Sequence, residues 1–242
     1  WRIKFDSVKI DIDLIPNFSL KYDLLPENAK RWETRSNTGW PPQRLIEKVK
    51  NEGARFSAKT SKVVGHLDRD FRLGLCTEIL LNDLKHTRKL MIILKDLNKT
   101  YIKSDTDGLK SYHFKMAMLW IREKSGKVQP EPAEMLTAVI NYLFEAFENK
   151  SLPNYFDDET NLLIDMTPEA AKVVCDRLAV IRLNLVDYLN EMNVKYPESS
   201  LFLLNLIKAC YVAMEQEERY NHVEEKQDNL DVSIRHFENL PK

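Results

Sequence analysis

The stretch Val8-Lys9-Ile10-Asp11-Ile12-Asp13-Leu14 alternates strictly between apolar and charged residues. On a β-strand, Ile10, Ile12 and Leu14 point one way and Lys9, Asp11 and Asp13 the other. Asp is a poor strand former, and neighbouring carboxylates on one face repel, so the pattern suits an exposed edge or a place beside a cation. Two readings stay open from these residues alone. One is a half-buried strand with a wet face. The other is a strand whose carboxylates hold a divalent metal, since Mg²⁺ prefers one or two carboxylates together with substrate phosphates.

Before this strand, Trp1-Arg2-Ile3-Lys4-Phe5 reads as a second strand, paired to it through a turn at Asp6-Ser7. The first residue is not an initiator, and no charged leader with an apolar run and cleavage site follows it. No apolar stretch approaches the roughly 20 residues that cross a bilayer. The expectation is a piece of a longer protein, placed in the cytosol, with the nucleus as the alternative. At 242 residues and 43% hydrophobic, the chain can fill one large domain or two joined lobes. A net charge of −1 gives no global attraction to polyanions, so any such site must be a local patch. Cys76, Cys175 and Cys210 are too few and scattered for a disulfide framework or zinc cluster, and fit a reducing compartment.

Downstream, the apolar period changes. Residues 19–42, rich in Pro, Asn, Ser and charge, read as a loop ending at Gly39-Trp40-Pro41-Pro42. A short helix with Leu45, Ile46 and Val49 on one face follows, stopped by Gly53. Phe56-Ser57-Ala58-Lys59 and Phe71-Arg72-Leu73-Gly74-Leu75 read as two short strands. From about Thr77 the chain is helical. Stripes run through Met91, Leu94, Leu97 and Tyr101, through Phe114, Ala117, Met118 and Ile121, and through Leu136, Val139, Ile140, Leu143, Phe144 and Phe147. Thr167 caps a helix beginning at Pro168 and running through Val174, Leu178, Ile181, Leu185 and Leu189 until Pro197. A last helix from about Ser199 carries Leu203, Leu206, Cys210 and Met214. Beyond it lies a Glu-rich tail with no apolar period, expected to be mobile from Gln216. The fold class is therefore α+β, with strands first and a mainly α-helical lobe second.

Several of these pieces follow a known order. An Asp-bearing strand precedes a Trp-Pro segment entering a helix, then Gly53-x-x-Phe56-x-x-Lys59 and Phe71-Arg72-Leu73. Ser111-Tyr112-His113-Phe114-Lys115 and Pro153-Asn154-Tyr155-Phe156 come after further helices. From Val8 to about Asp165 the chain resembles the C-terminal half of cyclic GMP–AMP synthase, the animal cGAS-like receptors and the related Mab developmental proteins. The resemblance implies a bilobed nucleotidyltransferase with a β-sheet palm carrying three acids and nucleotides in the cleft. It implies residues 1–76 as the end of that palm, 77–220 as the helical lobe and 221–242 as a polar tail. The third acid falls on Asp11, making it the catalytic metal ligand for Mg²⁺ or Mn²⁺, while the first two belong to an upstream part after a Gly-Ser turn. Without them this fragment is expected to be inert, because two-metal chemistry needs all three.

For ATP and GTP, the resemblance implies contacts from Asp13, Arg72, Glu78, Ser111, Tyr112 and Lys115. Tyr112 would stack on a base, Ser111 at a helix N-terminus suits phosphate oxygens, and the planar fork of Arg72 suits a base. His113 reads as structural. The family's phosphate-holding lysine falls on Ile92, with Lys89 and Lys95 three residues either side as substitutes. Gly74 and Cys76 stand where the family often has hydroxyls, and Glu78 comes one place early. No His/Cys zinc insertion of the DNA-sensing synthase is present. Lys85, Arg88, Lys89, Lys95, Lys99 and Lys103 form a basic run, either a solvated face or a groove for double-stranded RNA, which is read through phosphates and 2′-hydroxyls. Two functions follow: a cGAS-like synthase of a cyclic dinucleotide in innate immunity, or a catalytically inactive scaffold of the same fold.

Overall fold

The computed structural model describes residues 2–5, 10–13, 17–58, 71–75, 77–102, 109–126 and 128–212; residues 2–5, 10–13, 17–18, 56–58, 71–75 and 198 are described as backbone only. Within these, the chain divides into two compact units, Trp1–Val180 and Ile181–Lys242. Strands β1 (Arg2–Phe5) and β2 (Ile10–Asp13) form an antiparallel pair. Strands β3 (Asn17–Leu20), β4 (Ala54–Ala58) and β5 (Phe71–Leu75) form a second antiparallel sheet in the order β3-β4-β5. The expected pairing of the first two strands is observed, while the Asp6-Ser7 turn lies outside the described residues.

Between β3 and β4 the chain is more ordered than its composition suggests. Residues 19–42 are not simply a loop: they hold single 3₁₀ turns at Tyr22–Leu24 and Glu27–Ala29 and the short helix α1 (Trp32–Arg35). Tyr22, Leu25, Ala29 and Trp32 are all buried. Their spacing of three, four and three is helical in phase, but it is hidden among prolines and charges. Helix α2 (Gln43–Glu52) buries Leu45, Ile46 and Val49, as its period requires, and ends at Gly53. Gly53 has φ +70°, and a Cβ there would lie 2.5 Å from the Leu20 carbonyl oxygen. A side chain at this position would therefore push β3 away from β4, so only glycine suits the turn.

After α3 (Thr77–Leu81), three helices build the core of the first unit. These are α4 (Thr87–Leu97), continued by a π-helical turn at Asn98–Ile102, α5 (Ser111–Lys124) and α6 (Pro132–Glu148). Leu90, Leu94 and Leu97, Phe114 and Met118, and Leu136, Val139, Leu143 and Phe147 are all buried. Each such side chain contributes about 1.5–3 kcal/mol when fully removed from water. Helix α5 is apolar nearly all round, burying Met116, Ala117, Met118 and Leu119 in succession, which marks it as the central helix.

Thr167 caps α7 (Pro168–Leu183), its Oγ1 accepting the Ala170 N–H at 3.2 Å. The single helix expected through to Pro197 is instead two. Asn184 leaves the helical conformation at φ −118° and ψ 20°, and α8 (Leu185–Lys195) starts anew. Burial of Ile181, Leu185 and Leu189 survives the break, because each helix keeps its own apolar face. A ninth helix, α9, covers residues 200–212 and buries Leu203, Leu206, Ile207 and Cys210. Met214 and the tail lie outside the described residues. Among the described residues no helix is long and apolar enough to cross a membrane.

One charge pair, its Glu123 end buried and its Arg35 end partly so, ties α1, α5 and the loop after α6 together. Arg35 donates from Nε and Nη2 to the two carboxylate oxygens of Glu123 at 3.1 and 3.0 Å, and from Nη1 to the Tyr155 carbonyl at 2.9 Å. Its guanidinium lies 4.0 Å from the Trp120 ring centre and 4.8 Å from that of Tyr155. Trp120 in turn donates to the Pro153 carbonyl at 3.0 Å, so the Pro153–Phe156 segment is held from both sides. Burial and then the Glu123 charge push the Tyr155 hydroxyl pKa well above its ordinary value. Removing Arg35 leaves the Glu123 carboxylate without its partner, and removing Glu123 leaves Arg35 with only the more distant Asp158 at 3.8 Å. Arg35→Met or Glu123→Gln is therefore expected to destabilise the protein by about 3–5 kcal/mol, measured by urea unfolding. Arg35→Met combined with Glu123→Met is expected to cost less than the two single changes summed.

Candidate functional site

Helix α5 carries the largest group of expected site residues, and its first turns show how they are sorted. Ser111 is its first residue and is exposed. Tyr112 is half-buried, with its hydroxyl donating to Asn154 Oδ1 at 3.4 Å. His113 turns inward. It is buried, its Nδ1 accepts the Lys110 N–H at 3.3 Å, and its ring meets Phe147 edge-on at 6.1 Å. The expected structural role of His113 is thus visible as a helix-capping contact that satisfies one of the orphan N–H groups at the terminus. Phe114 is buried beside it. Lys115, one turn on from Ser111, pairs with Glu78 of α3.

The Glu78–Lys115 pair joins two parts of the chain 37 residues apart. Helix α3 follows directly on β5, the strand that carries Arg72 opposite Ser57 of β4. The cationic end of Lys115 is partly exposed and Glu78 is more so, which leaves both within reach of an anion or a base from solvent. Asn154, in the Asn-Tyr-Phe segment, is the residue whose role is least visible in the sequence. It is buried, receives the Tyr112 hydroxyl and the Phe156 N–H, and its own N–H donates to the Thr160 carbonyl. Asn161 locks the same loop by accepting the Leu152 and Leu163 N–H groups at 3.0 Å each.

Strand β2 places Asp11 opposite Lys4 and Asp13 opposite Arg2. In an antiparallel pair these four positions share one face, and Ile3, Phe5, Ile10 and Ile12 the other. By register alone, each carboxylate position thus stands across from a basic one. Two carboxylates on one strand face fit one or two ligands of a divalent cation, yet they are not a complete two-metal donor set. Among the described residues, no group of three or more His, Cys, Asp or Glu side chains could hold a metal ion.

The basic run lies on one side of α4. Arg88, Lys89 and Lys95 are exposed, as is Lys99 on the π-helical turn, and Lys103 lies outside the described residues. Ile92, where the resemblance would put a phosphate-holding lysine, sits in the middle of this stripe and is 61% exposed. Lys85 is drawn aside to Glu131 at 3.4 Å. Lys89, Ile92 and Lys95 therefore share the outer face of α4.

Arg35, Glu123 and Arg122 were not among the expected functional residues, and one signal for them existed. Arg122 falls four residues after Met118 and eight after Phe114, so a charge stands in phase with a core stripe. It is buried over the Trp40 ring, and that burial holds its pKa below the usual guanidinium value. Trp40 in turn donates to Asp83 Oδ2 at 3.3 Å, and Arg44 reaches the other oxygen at 2.7 Å.

Residues 84–179 match the Mab-21 protein HhH/H2TH-like domain. The match takes in the α4 stripe, all of α5 and α6, the Pro153–Phe156 segment and most of α7, reaching past the Asp165 limit of the sequence resemblance. The chain is also similar to cyclic GMP-AMP synthase-like receptor 3 of Stylophora pistillata, with 24% identity over 195 residues, covering 75% of this chain and 50% of that protein. The chain thus spans about half the length of this curated relative. Over residues 84–179 the chain is thus similar to the Mab-21 domain, and over most of its length it is similar to a cGAS-like receptor.

Proposed function

We propose that this chain is the C-terminal portion of a metal-dependent nucleotidyltransferase of the cGAS-like kind. Complete with an upstream half, the protein joins ATP and GTP into a cyclic dinucleotide when double-stranded RNA is bound, in cytosolic innate immune signalling. The observation that carries this reading is the start of α5. There Ser111, Tyr112 and Lys115 stand within two turns, anchored by His113 from below and linked through Glu78 to the strand bearing Arg72. A half-buried aromatic beside a helix N-terminus and a lysine suits a base, a phosphate and a second phosphate in turn.

In this reading Tyr112 stacks on a nucleobase, Ser111 and the N–H groups that open α5 receive phosphate oxygens, and Lys115 adds charge. Arg72 and Glu78 bind the second nucleotide, with Asp13 nearby. Lys89 stands in for the lysine replaced by Ile92. Asp11 supplies one carboxylate for Mg²⁺ or Mn²⁺, and the upstream half supplies the others. Such ions activate the attacking hydroxyl and steady the leaving pyrophosphate.

A non-catalytic scaffold of the same fold is the second reading. Two observations favour it: Lys4 stands opposite Asp11 in register, and an exposed isoleucine replaces a phosphate-holding lysine.

Three measurements on the full-length protein separate these readings. Asp11→Asn keeps the side-chain shape and removes the charge, so nearly all Mg²⁺- or Mn²⁺-dependent turnover should disappear with the melting temperature unchanged. Near-normal turnover would reduce Asp11 to the cross-strand partner of Lys4. Tyr112→Ala should weaken ATP or GTP binding by about 1–3 kcal/mol through lost stacking, read by calorimetric titration. Tyr112→Phe should keep binding while lowering stability by about 0.5–1.5 kcal/mol, the worth of the hydrogen bond to Asn154. Equal binding losses in the two variants would assign the role to the hydroxyl. Replacing Lys95, Lys99 and Lys103 with glutamate should weaken double-stranded RNA binding and flatten its salt dependence, by about 0.9 in the log–log slope for each phosphate that is no longer neutralised. An unchanged slope in a folded variant would make the stripe a solvated face and shift the weight to the scaffold.

A further inference from the structure

The contact between Lys115 and Glu78 is one that nucleotide binding has to rearrange. Lys115 Nζ donates to Glu78 Oε1 across 37 positions of the sequence. Among the described residues neither side chain has another ion-pair partner. Lys115 shares its helix face with Tyr112 and Ser111, three and four residues before it on α5. Glu78 lies on α3, which follows directly on β5, the strand carrying the Arg72 assigned above to the second nucleotide. The pair therefore stands between the two proposed nucleotide positions.

Both backbones are fixed while both side chains are loose. Phe114, Met116 and Ala117 are buried on either side of Lys115, and Thr77, Leu80 and Leu81 are buried around Glu78. The Lys115 side chain is 28% exposed and that of Glu78 64%. An ion pair this wet is close to balanced against its own separation, so a stronger partner can take either group. Phosphate is such a partner for the ammonium, since it brings more negative charge than a carboxylate and several acceptor oxygens. A phosphate received at Ser111 lies one turn from Lys115 and draws Nζ away from Glu78. The released carboxylate only accepts hydrogen bonds and now has a like charge nearby. It gains by accepting the N–H donors that a nucleobase edge presents.

We infer that Glu78 and Lys115 form a two-position switch that couples the two nucleotide sites. In one position they bind each other. In the other, Lys115 holds a phosphate of the first nucleotide and Glu78 the base of the second. Whichever nucleotide arrives first bears the cost of parting the pair, and the next finds its own partner already released. Each nucleotide therefore tightens the other by the same factor, as linkage requires. This inference rests on the nucleotide reading proposed above, and its test tells the two apart.

Calorimetric titration of the full-length protein with non-hydrolysable ATP and GTP analogues tests it, with Mg²⁺ and double-stranded RNA present. In the wild type, each analogue at saturation should tighten the other about two- to fivefold, the factor an exposed ion pair can transmit. Lys115→Met should weaken one analogue, which identifies the occupant of the Ser111 position, and should abolish the coupling. In Glu78→Gln the ammonium has no competing carboxylate, so that same analogue alone should bind about two- to fivefold more tightly than to the wild type, again without coupling. Melting temperatures read whether each variant is folded, and the wild-type measurement needs no variant. Binding of both analogues to the wild type with no mutual tightening would overturn the switch and leave the nucleotide reading standing. Coupling that persists in Glu78→Gln would overturn it too, as would weaker binding of the first analogue there, which would make Glu78 a support for Lys115. Failure of the wild type to bind either analogue would overturn the nucleotide reading itself, and the switch with it.

Discussion

The Arg35–Glu123 pair is the constraint on which the first unit rests. A guanidinium and a carboxylate are each costly to remove from water, and only close bidentate geometry with further hydrogen bonds offsets that cost. Here the geometry is bidentate, the remaining guanidinium donor reaches the Tyr155 carbonyl, and two aromatic rings flank the cation. The pair draws α1, the C-terminal end of α5 and the Pro153–Phe156 segment to one point. Trp32 and Phe156 meet edge-on at 5.3 Å next to it, as do Trp120 and Tyr155. An apolar contact of similar area would allow these elements to slide, whereas a forked charge pair specifies one arrangement.

That arrangement reaches the other end of α5 through Asn154. The loop that Arg35 and Trp120 hold in place is the loop whose Asn154 receives the Tyr112 hydroxyl, so the charge pair and the candidate site are joined by a short run of hydrogen bonds. The order Ser-Tyr-His-Phe-Lys divides its duties along the helix. His113 and Phe114 face the core and fix rotation, and fixed rotation leaves Ser111, Tyr112 and Lys115 towards the surface. A site built on a helix held from below needs little reordering when a ligand arrives.

Charge along the chain is local in its effect. Near neutrality overall, the protein gathers exposed cations on the outer face of α4, and the register of β1 and β2 sets Lys4 and Arg2 opposite Asp11 and Asp13. At the other end of the described residues, α9 carries Leu201, Leu204, Tyr211 and Val212 on its exposed side.

How much was legible in the sequence depended on whether the information was local. Helices α2 and α4 to α7 were readable because a 3.6-residue apolar period, Gly53 and the Thr167-Pro168 start are features of neighbouring residues. The strand pair was readable from its two-residue alternation. The Ser111–Lys115 group stood out through its resemblance to a family, and the similarity of residues 84–179 to the Mab-21 domain agrees with it. What tertiary structure alone decided were partnerships between residues far apart: Arg35 with Glu123 across 88 positions, Lys115 with Glu78 across 37, and Tyr112 with Asn154 across 42. It also decided that residues 19–42 are ordered, since their helical phase becomes visible only when Trp32 and Tyr22 are seen buried, and that the last long helix breaks at Asn184. Periodicity records which face of an element is apolar, but a charge pair or a loop-to-helix hydrogen bond leaves no period. Its energy depends on distance in space, which the order of residues does not state.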